Sequence, residues 1–551
     1  MLLTGSELLL QVLKNRGVRT IYGIVGREAE AISFNEIDGI DFILTHDERS
    51  AGYMADMQGR LTGNVGVCYS TFGPGASNLA TGIASAYLDR SPVLAISAQV
   101  EKKFICPSTH QYLNQVALMR PITKYAKEIT DINYLEEEIV KAIEIAEKDL
   151  PGPCFLSISW DVLKQKKNIQ DIKRAEGILY QDMRCDARQR NDTPKDLICL
   201  LSKKNNPICI VGNDVARNGH AAKLSRFLKV LKLPAVTTYA AKGVVSCNHE
   251  CYLGTVSKYL GYLTPGLLEE IFTEADLILL IGFDMVEGVD ATLWQYGKEK
   301  KIVAINSLYA AASFASIDLE IQMSYPELFK ALAKNVQQAK FSLDKIKKIR
   351  SKIEKIKNNS IRKQLVACKN GLNPFSIVNI LNKTLSKNDI LVSDVGLHKQ
   401  FVSLFYEVKK PKTFFCSNGL GSMGFGLPAA MAAKSTFPDK RVIAVCGDGG
   451  FHISSCELET SVRCHLPIIC IIFCDRSVGL IRHYQKKGLQ RDNPDITNFG
   501  HIDFVKLAQA NGCKAYQART KEEFSRCLQS VLNTNTTAVI EVLLDRDEYS
   551  Y

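Results

Sequence analysis

A chain of 551 residues with 46% hydrophobic and 23% charged content is too long for one core and implies roughly two to four globular domains. Its longest apolar runs, such as Leu277–Phe283 and Leu466–Cys474, are too short to cross a bilayer, so no membrane association is expected. The formal net charge of +11 raises nucleic acid as a partner, but much of the excess sits in residues 345–363 and no nucleic-acid module is recognisable elsewhere.

The opening residues, MLLTGSELLLQVLKNRG, lack a basic n-region and a small-residue cleavage site, so the chain reads as cytoplasmic. They predict an amphipathic helix capped near Thr4 or Ser6. Seventeen cysteines, an odd number set mostly in apolar segments without a CxxC pair, read as reduced core residues. Over residues 1–165 short apolar runs alternate with helical patterns. Strands are expected at Thr20–Ile24, Phe42–Thr45, Val65–Thr71 and Val93–Ala98, and helices at Ser50–Arg60 and Asn78–Tyr87. This alternation predicts a doubly wound α/β domain. Beyond the polar stretch Lys164–Thr193, the segment NPICIVGNDVARNG (206–219) opens a second α/β unit, with further strands at Leu277–Phe283 and Lys301–Asn306. In Lys345–Lys363, Ile346, Ile349, Ile353 and Ile356 recur at helical spacing, predicting a linker helix with a solvated basic face.

The last unit carries the densest chemistry. Leu391–Ser393 reads as a strand leading into the loop Asp394-Val395-Gly396-Leu397-His398, and CSNGLGSMGFGLPAAMAAK (416–434) follows. Gly419–Gly424 satisfies GxGxxG, but Asp439, near the distance of a ribose-binding acid, lies in a turn, and no βαβ unit supports a dinucleotide site. Arg441–Cys446 predicts a buried strand, Gly447-Asp448-Gly449-Gly450 a tight turn, and Ser455–Cys464 a helix closed by Pro467. Ile468–Cys474 is then a second buried strand, ending in Asp475. The two strands should be parallel with a right-handed crossover. That places Asp448 and Asp475, 27 positions apart, together at the carboxyl edge of one sheet, where open α/β sheets bind ligands. Two carboxylates beside a glycine turn suit a divalent cation and a phosphate group.

The pattern GDGG, a spacer and Cys474-Asp475 resembles the metal–diphosphate signature of thiamine-diphosphate enzymes, with Cys474 departing at a non-ligating place. Residues 46–100, from HDERSAGY to SAQV, closely resemble the pyrimidine-binding domain of the acetolactate synthase group. STHQYLNQVALMRPITKYAKEI (108–129) and GFDMVEGVDATLW (282–294) resemble its catabolic, flavin-independent branch. The resemblance implies an α/β fold of three doubly wound parallel-sheet domains: pyrimidine-binding (1–165), central (190–340) and diphosphate-binding (371–551).

It also implies roles. Glu48 would hydrogen-bond N1′ of the cofactor's pyrimidine, favouring the imino tautomer that takes the proton from thiazolium C2, and Gln111 would lie near the reacting end. Gly73, Asn78, His398, Gly421, Met423, Gly447, Gly449, Gly450 and Ser477 would bind thiamine diphosphate, with Met423 wedged beneath it. Asp448, Asp475 and the Ser477 carbonyl would hold Mg2+, and Leu480, Tyr484 and Gln485 would line the substrate pocket. The segment 282–294 lacks the flavin branch's Arg-Phe-Asp-Asp-Arg run, which argues against FAD. The activity implied is decarboxylation of a 2-oxo acid, pyruvate, with ligation to a second carbonyl, in a homodimer or homotetramer whose sites lie at the subunit interface. Val25 (in GIVG, where the family has GxPG), Asp47 and Tyr484 depart from the common pattern. They leave open a related lyase or transferase with another donor or acceptor. An inactive binding homologue is the remaining alternative, opposed by Glu48, Asp448 and Asp475.

Overall fold

Runs of β-branched and aromatic residues buried on both faces, such as Val93–Gln99 and Ile469–Cys474, become the inner strands of parallel sheets. The computed structural model describes residues 2–32, 34, 38–168, 193–257, 264, 266–288, 297, 299–307, 317–335, 343–367 and 372–544. In the first domain β1 (Leu2–Thr4) pairs antiparallel with β8 (Lys166–Asn168). Between them, β2 (Thr20–Ile24), β3 (Asp41–Leu44), β4 (Gly66–Ser70), β5 (Val93–Gln99), β6 (Tyr125–Ile129) and β7 (Pro153–Ser159) form a parallel sheet in the order 3-2-4-5-7-6. The predicted first helix is Gly5–Asn15, capped by Thr4 in a reciprocal box with Glu7.

The second sheet holds β9 (Pro207–Val211), β10 (Ala235–Thr237), β11 (Tyr252–Thr255), β12 (Leu277–Ile281), β13 (Lys301–Asn306) and β14 (Leu319–Gln322), ordered 11-10-9-12-13-14. The third holds β15 (Ile390–Ser393), β16 (Phe414–Cys416), β17 (Val442–Gly447), β18 (Ile469–Cys474), β19 (Lys514–Ala518) and β20 (Ala538–Leu543), ordered 16-15-17-18-20-19. Every neighbouring pair in both sheets is parallel. In the third sheet the chain steps one way from β15 to β16 and the other way from β17 to β18. The gap between the ends of β15 and β17 is therefore a topological switch point.

Three local expectations are corrected. The GDGG segment is not a free turn: Gly447 is the N-cap and Asp448–Ser454 is helical, preceding the expected helix, which runs from Glu457 to Arg463. Glycine's poor helix propensity hides this start, and packing overrides it. His398 lies in the first turn of a helix, Leu397–Phe405, and not in a loop. The basic helix runs from Leu343 to Ala367, with Ile346 and Ile353 buried as expected, but Arg350 and Lys357 of its basic face are half-buried. Most of the polar stretch 164–193, and residues 289–294 of the central segment, lie outside the described residues.

The first and third domains share a core. Helix Glu48–Thr62 packs on helix Gly426–Thr436, whose residues from Gly426 to Ala433 are all buried. At one end of this contact Arg60 donates to Asp56 at 2.6 and 2.7 Å, to Asp89 at 2.8 Å and to the Cys416 carbonyl at 2.9 Å. Asp89 in turn accepts the Gly419 amide at 2.9 Å. The fifteen described cysteines are free thiols, nine of them buried. No helix among the described residues is long and apolar enough to cross a membrane.

Candidate active site

β17 and β18 pair in register, with Gly447 opposite Phe473, so the residues that follow them emerge side by side. Asp448 and Asp475 are nearly fully buried, and each is held by backbone amides. Asp448 Oδ1 accepts from the Gly449 amide at 2.7 Å and Oδ2 from the Arg476 amide at 2.6 Å. Asp475 Oδ1 accepts from the Ser477 amide at 3.0 Å. Arg476, between Asp475 and Ser477, takes a left-handed φ of 55°, a strained geometry typical of functional loops. Burial pushes the Asp448 carboxyl up to about 6; burial and the negative charge of Asp448 push Asp475 up to about 7.

A cavity of about 180 Å³ opens beside this pair, lined by Met423, Asp448, Gly449, Ile453, Arg476 and Phe499 among others. Phe499, which the sequence reading did not single out, hangs from the same loop: its amide donates to the Arg476 carbonyl at 2.8 Å. Asp394 is a second residue missed. It follows β15 at the switch point, is fully buried, and accepts the Val395 amide at 2.6 Å and the Gly424 amide at 3.1 Å to each oxygen. The Phe425 and Gly426 amides also point at it; burial outweighs these bonds and raises the carboxyl to about 6. Asp394 thus ties the Gly421–Met423 loop to β15. A side chain at Gly450 would place its Cβ 2.6 Å from Asp394 Oδ2, so only glycine lets the turn approach.

His398 is buried with its Nε2 donating to the Asp394 carbonyl at 3.0 Å. A carbonyl can only accept, so the proton is on Nε2. Burial lowers the imidazole to about 3, which keeps it neutral and leaves Nδ1 as an acceptor toward Gly447. Gly421 has a φ of 67° and sits with Met423 on the half-buried loop before helix Gly426–Thr436.

The first-domain residues gather separately at the ends of β3 and β4. Glu48, the first residue of its helix, is 8% exposed and accepts from Asn78 Nδ2 at 3.1 Å. Gly73, at φ 66°, lets the Gln111 backbone approach so closely that a Cβ would lie 2.6 Å from its carbonyl oxygen. Gln111 is itself exposed at φ 59°. Asp47 is explained as an N-cap: it accepts the Arg49 amide at 2.7 Å and pairs with the Arg49 guanidinium at 2.9 Å. Among the described residues no hydrogen bond joins Glu48 to the third domain. Its neighbours do so: the His46 and Asp47 amides both donate to Glu457 at 3.1 Å, and Tyr53 donates to Ser422 at 2.8 Å.

Helix Gly479–Tyr484 carries the expected substrate-pocket residues, but none of Leu480, Tyr484 and Gln485 lines the cavity at Asp448. Leu480 packs on the hydrophobic core, and Gln485 accepts the Asn493 amide at 3.3 Å. Arg482 anchors the helix through Asp492 at 2.7 Å.

The residues present fit a diphosphate held through a hard cation. Asp448 lines the cavity together with His452 and Cys474, and the Asp475 carboxylate and the Ser477 backbone lie on the loop that borders it, so the carboxylate and backbone oxygens there suit magnesium. Among the described residues no group of three or more His, Cys, Asp or Glu converges, so two carboxylates need phosphate oxygens and water to complete a shell, the usual arrangement for Mg2+. Ser477 Oγ is buried without a hydrogen-bond partner in the structure.

Comparison with known proteins agrees. Residues 3–118 match the thiamine pyrophosphate enzyme N-terminal TPP binding domain, 195–332 the central domain and 394–542 the C-terminal TPP binding domain. The chain is 29% identical over 545 residues to an acetolactate synthase of Bacillus subtilis (98% of this chain, 93% of that protein). It is 26% identical over 559 residues to the acetolactate synthase isozyme 3 large subunit of Escherichia coli (100% and 96%). A catabolic acetolactate synthase of Raoultella terrigena is 26% identical over 547 residues (98% and 95%). With three sheets in the matching order and two carboxylates at the switch-point edge of the third, the chain belongs to the thiamine-diphosphate-dependent enzymes of the acetolactate synthase family.

Proposed function

We propose that the chain decarboxylates pyruvate and joins the two-carbon remainder to a second pyruvate, giving 2-acetolactate. The observation that carries this reading is the Asp448–Asp475 pair beside the Met423 cavity, in a chain whose relatives along its whole length are acetolactate synthases. The chemistry thiamine diphosphate supplies when bound is nucleophilic addition to the 2-oxo carbon and storage of the electron pair that CO₂ leaves behind.

The chain's own residues do the rest. Asp448, Asp475 and the Ser477 carbonyl hold Mg2+ against the diphosphate, while Gly447, Gly449 and Gly450 keep that wall free of side chains. Met423, flexible and apolar, supports the cofactor from below, positioned by the Asp394 clamp on its loop. Glu48 holds a proton at the pyrimidine nitrogen, with Asn78 fixing its carboxyl and Gln111 and Gly73 beside it. Within one chain the Glu48 cluster and the Asp448 cavity share no lining residue or hydrogen bond among the described residues, which supports sites completed by a second copy in a homodimer or homotetramer.

The central domain supports a reading without FAD. Glu287 accepts the Asn213 amide at 2.9 Å, so a carboxylate occupies the backbone donor after β9 that a nucleotide phosphate would use. The free thiols fit a reducing compartment, the cytoplasm. The test is incubation of the purified protein with thiamine diphosphate, Mg2+ and pyruvate alone. One CO₂ and one acetolactate per two pyruvates consumed are expected; pyruvate left unconsumed, or converted to another product, would overturn the assignment.

A further inference from the structure

The basic helix Leu343–Ala367 has no part in the chemistry described above, yet its half-buried Arg350 and Lys357 face a second cavity of about 900 Å³. That cavity lies between the β10–β11 region of the central domain, the helix, and the third domain, and shares no lining residue with the cavity at Asp448. Its size is that of a ligand site. Six basic residues line it: Lys242, Arg350, Lys357, Lys383, Lys521 and Arg526. Three acidic residues, Glu354, Glu407 and Glu522, oppose them and leave a positive excess.

None of the six cations is in an ion pair among the described residues. Arg350 donates to the Cys247 carbonyl at 3.0 Å, and Lys242 donates only to Thr255 Oγ1 at 3.2 Å. Lys242 is 5% exposed. A buried ammonium satisfied by one hydroxyl is costly, because no carboxylate among the described residues pairs with it. Burial, and then the positive charge of Lys357, lower Lys242 to about 7, and burial lowers Lys357 as well. Cations brought together from separate domains, short of counter-charge, are the complement of an anion. Tyr252 and Phe405 on the same walls give apolar surface for its carbon skeleton.

We propose that this cleft binds a small polyanion, a molecule carrying two or more phosphate or carboxylate groups, at a site distinct from the cofactor's. The test uses the enzyme loaded with excess thiamine diphosphate and Mg2+, so that the diphosphate cleft is filled. Isothermal titration with fructose 1,6-bisphosphate as the phosphate probe, and in a separate arm with tricarballylate as the carboxylate probe, distinguishes the two sources. Binding of at least one probe with one site per chain is expected, absent with sodium chloride at matched ionic strength. Lys357→Ala and Arg526→Ala should each weaken that binding roughly tenfold or more, while leaving thiamine diphosphate affinity unchanged. No heat from either probe, or binding that survives both substitutions, would overturn the proposal.

Discussion

The Asp448 carboxylate accepts the amide of Arg476 at 2.6 Å, one residue beyond Asp475, so a single loop fixes both acids relative to each other. Backbone amides, and not cationic side chains, hold the pair. Asp448→Ala removes one of the proposed ligands and the anchor of the 475–477 loop together. Magnesium-dependent binding of thiamine diphosphate, followed by protein fluorescence, should fall by at least a hundredfold. Asp475→Ala should do the same.

The same pair sets a pH dependence. Burial, with mutual repulsion for Asp475, raises the two carboxyls to about 6 and about 7, and a metal must displace those protons. Magnesium affinity in the presence of cofactor should therefore fall as the pH drops from about 8 to about 6, and level off above that range. For the unloaded protein the sign is opposite. Both folded pKa values lie above those of the unfolded chain, so stability should decline as the pH rises from about 4 to about 7. Thermal melts with and without Mg2+ and cofactor across this range check both slopes.

Asp394 offers a test of positioning. Asp394→Asn keeps the shape but turns an amide donor toward the Gly424 and Val395 amides, leaving one of these buried groups unmatched. The Met423 loop should loosen, weakening thiamine diphosphate binding about tenfold or more, while the carboxylates at Asp448 and Asp475 still bind Mg2+. A cofactor titration at saturating Mg2+ reads this out.

Stability of the contact between the first and third domains rests on Arg60. Burial opposes its charge, but Asp56 and Asp89 outweigh that and hold the guanidinium ionised. Asp56→Ala leaves Arg60 with half its compensation in a site where Asp56 itself is fully buried. A loss of about 3–5 kcal/mol is expected, measured as a lowered urea midpoint. Arg60→Lys should also lower the midpoint, because a lysine cannot reach Asp56, Asp89 and the Cys416 carbonyl together.

Much of this was legible in the sequence, for identifiable reasons. The β17–β18 unit stands out because two apolar runs bounded by glycine and proline have no other reading, and the strand limits fall within a residue of those expected. The first helix and the isoleucine face of Leu343–Ala367 follow from periodicity alone. What escaped depends on contacts between distant positions. Asp394 acquires its role from Gly424 and Gly450, and Phe499 from Gly449 and Met423, none of which local pattern can pair. β6 and β19 are partly exposed strands with charged residues, so no apolar run marks them. The helical start at Asp448 was hidden by the two glycines that the chemistry requires there.

The central claim is that Glu48 of one copy serves the Asp448–Asp475 pair of another. Glu48→Gln should slow turnover by about 10²–10⁴ with cofactor affinity little changed, and Asp448→Ala should be inactive through loss of the cofactor. Hybrids of these two inactive chains carry one site with both defects and one with neither. Unfolding the two variants together and refolding them as mixed dimers should restore about a quarter of the normal activity by random pairing. Mixtures that stay as inactive as the separate variants, with hybrids verified by mass, would contradict a site shared between copies.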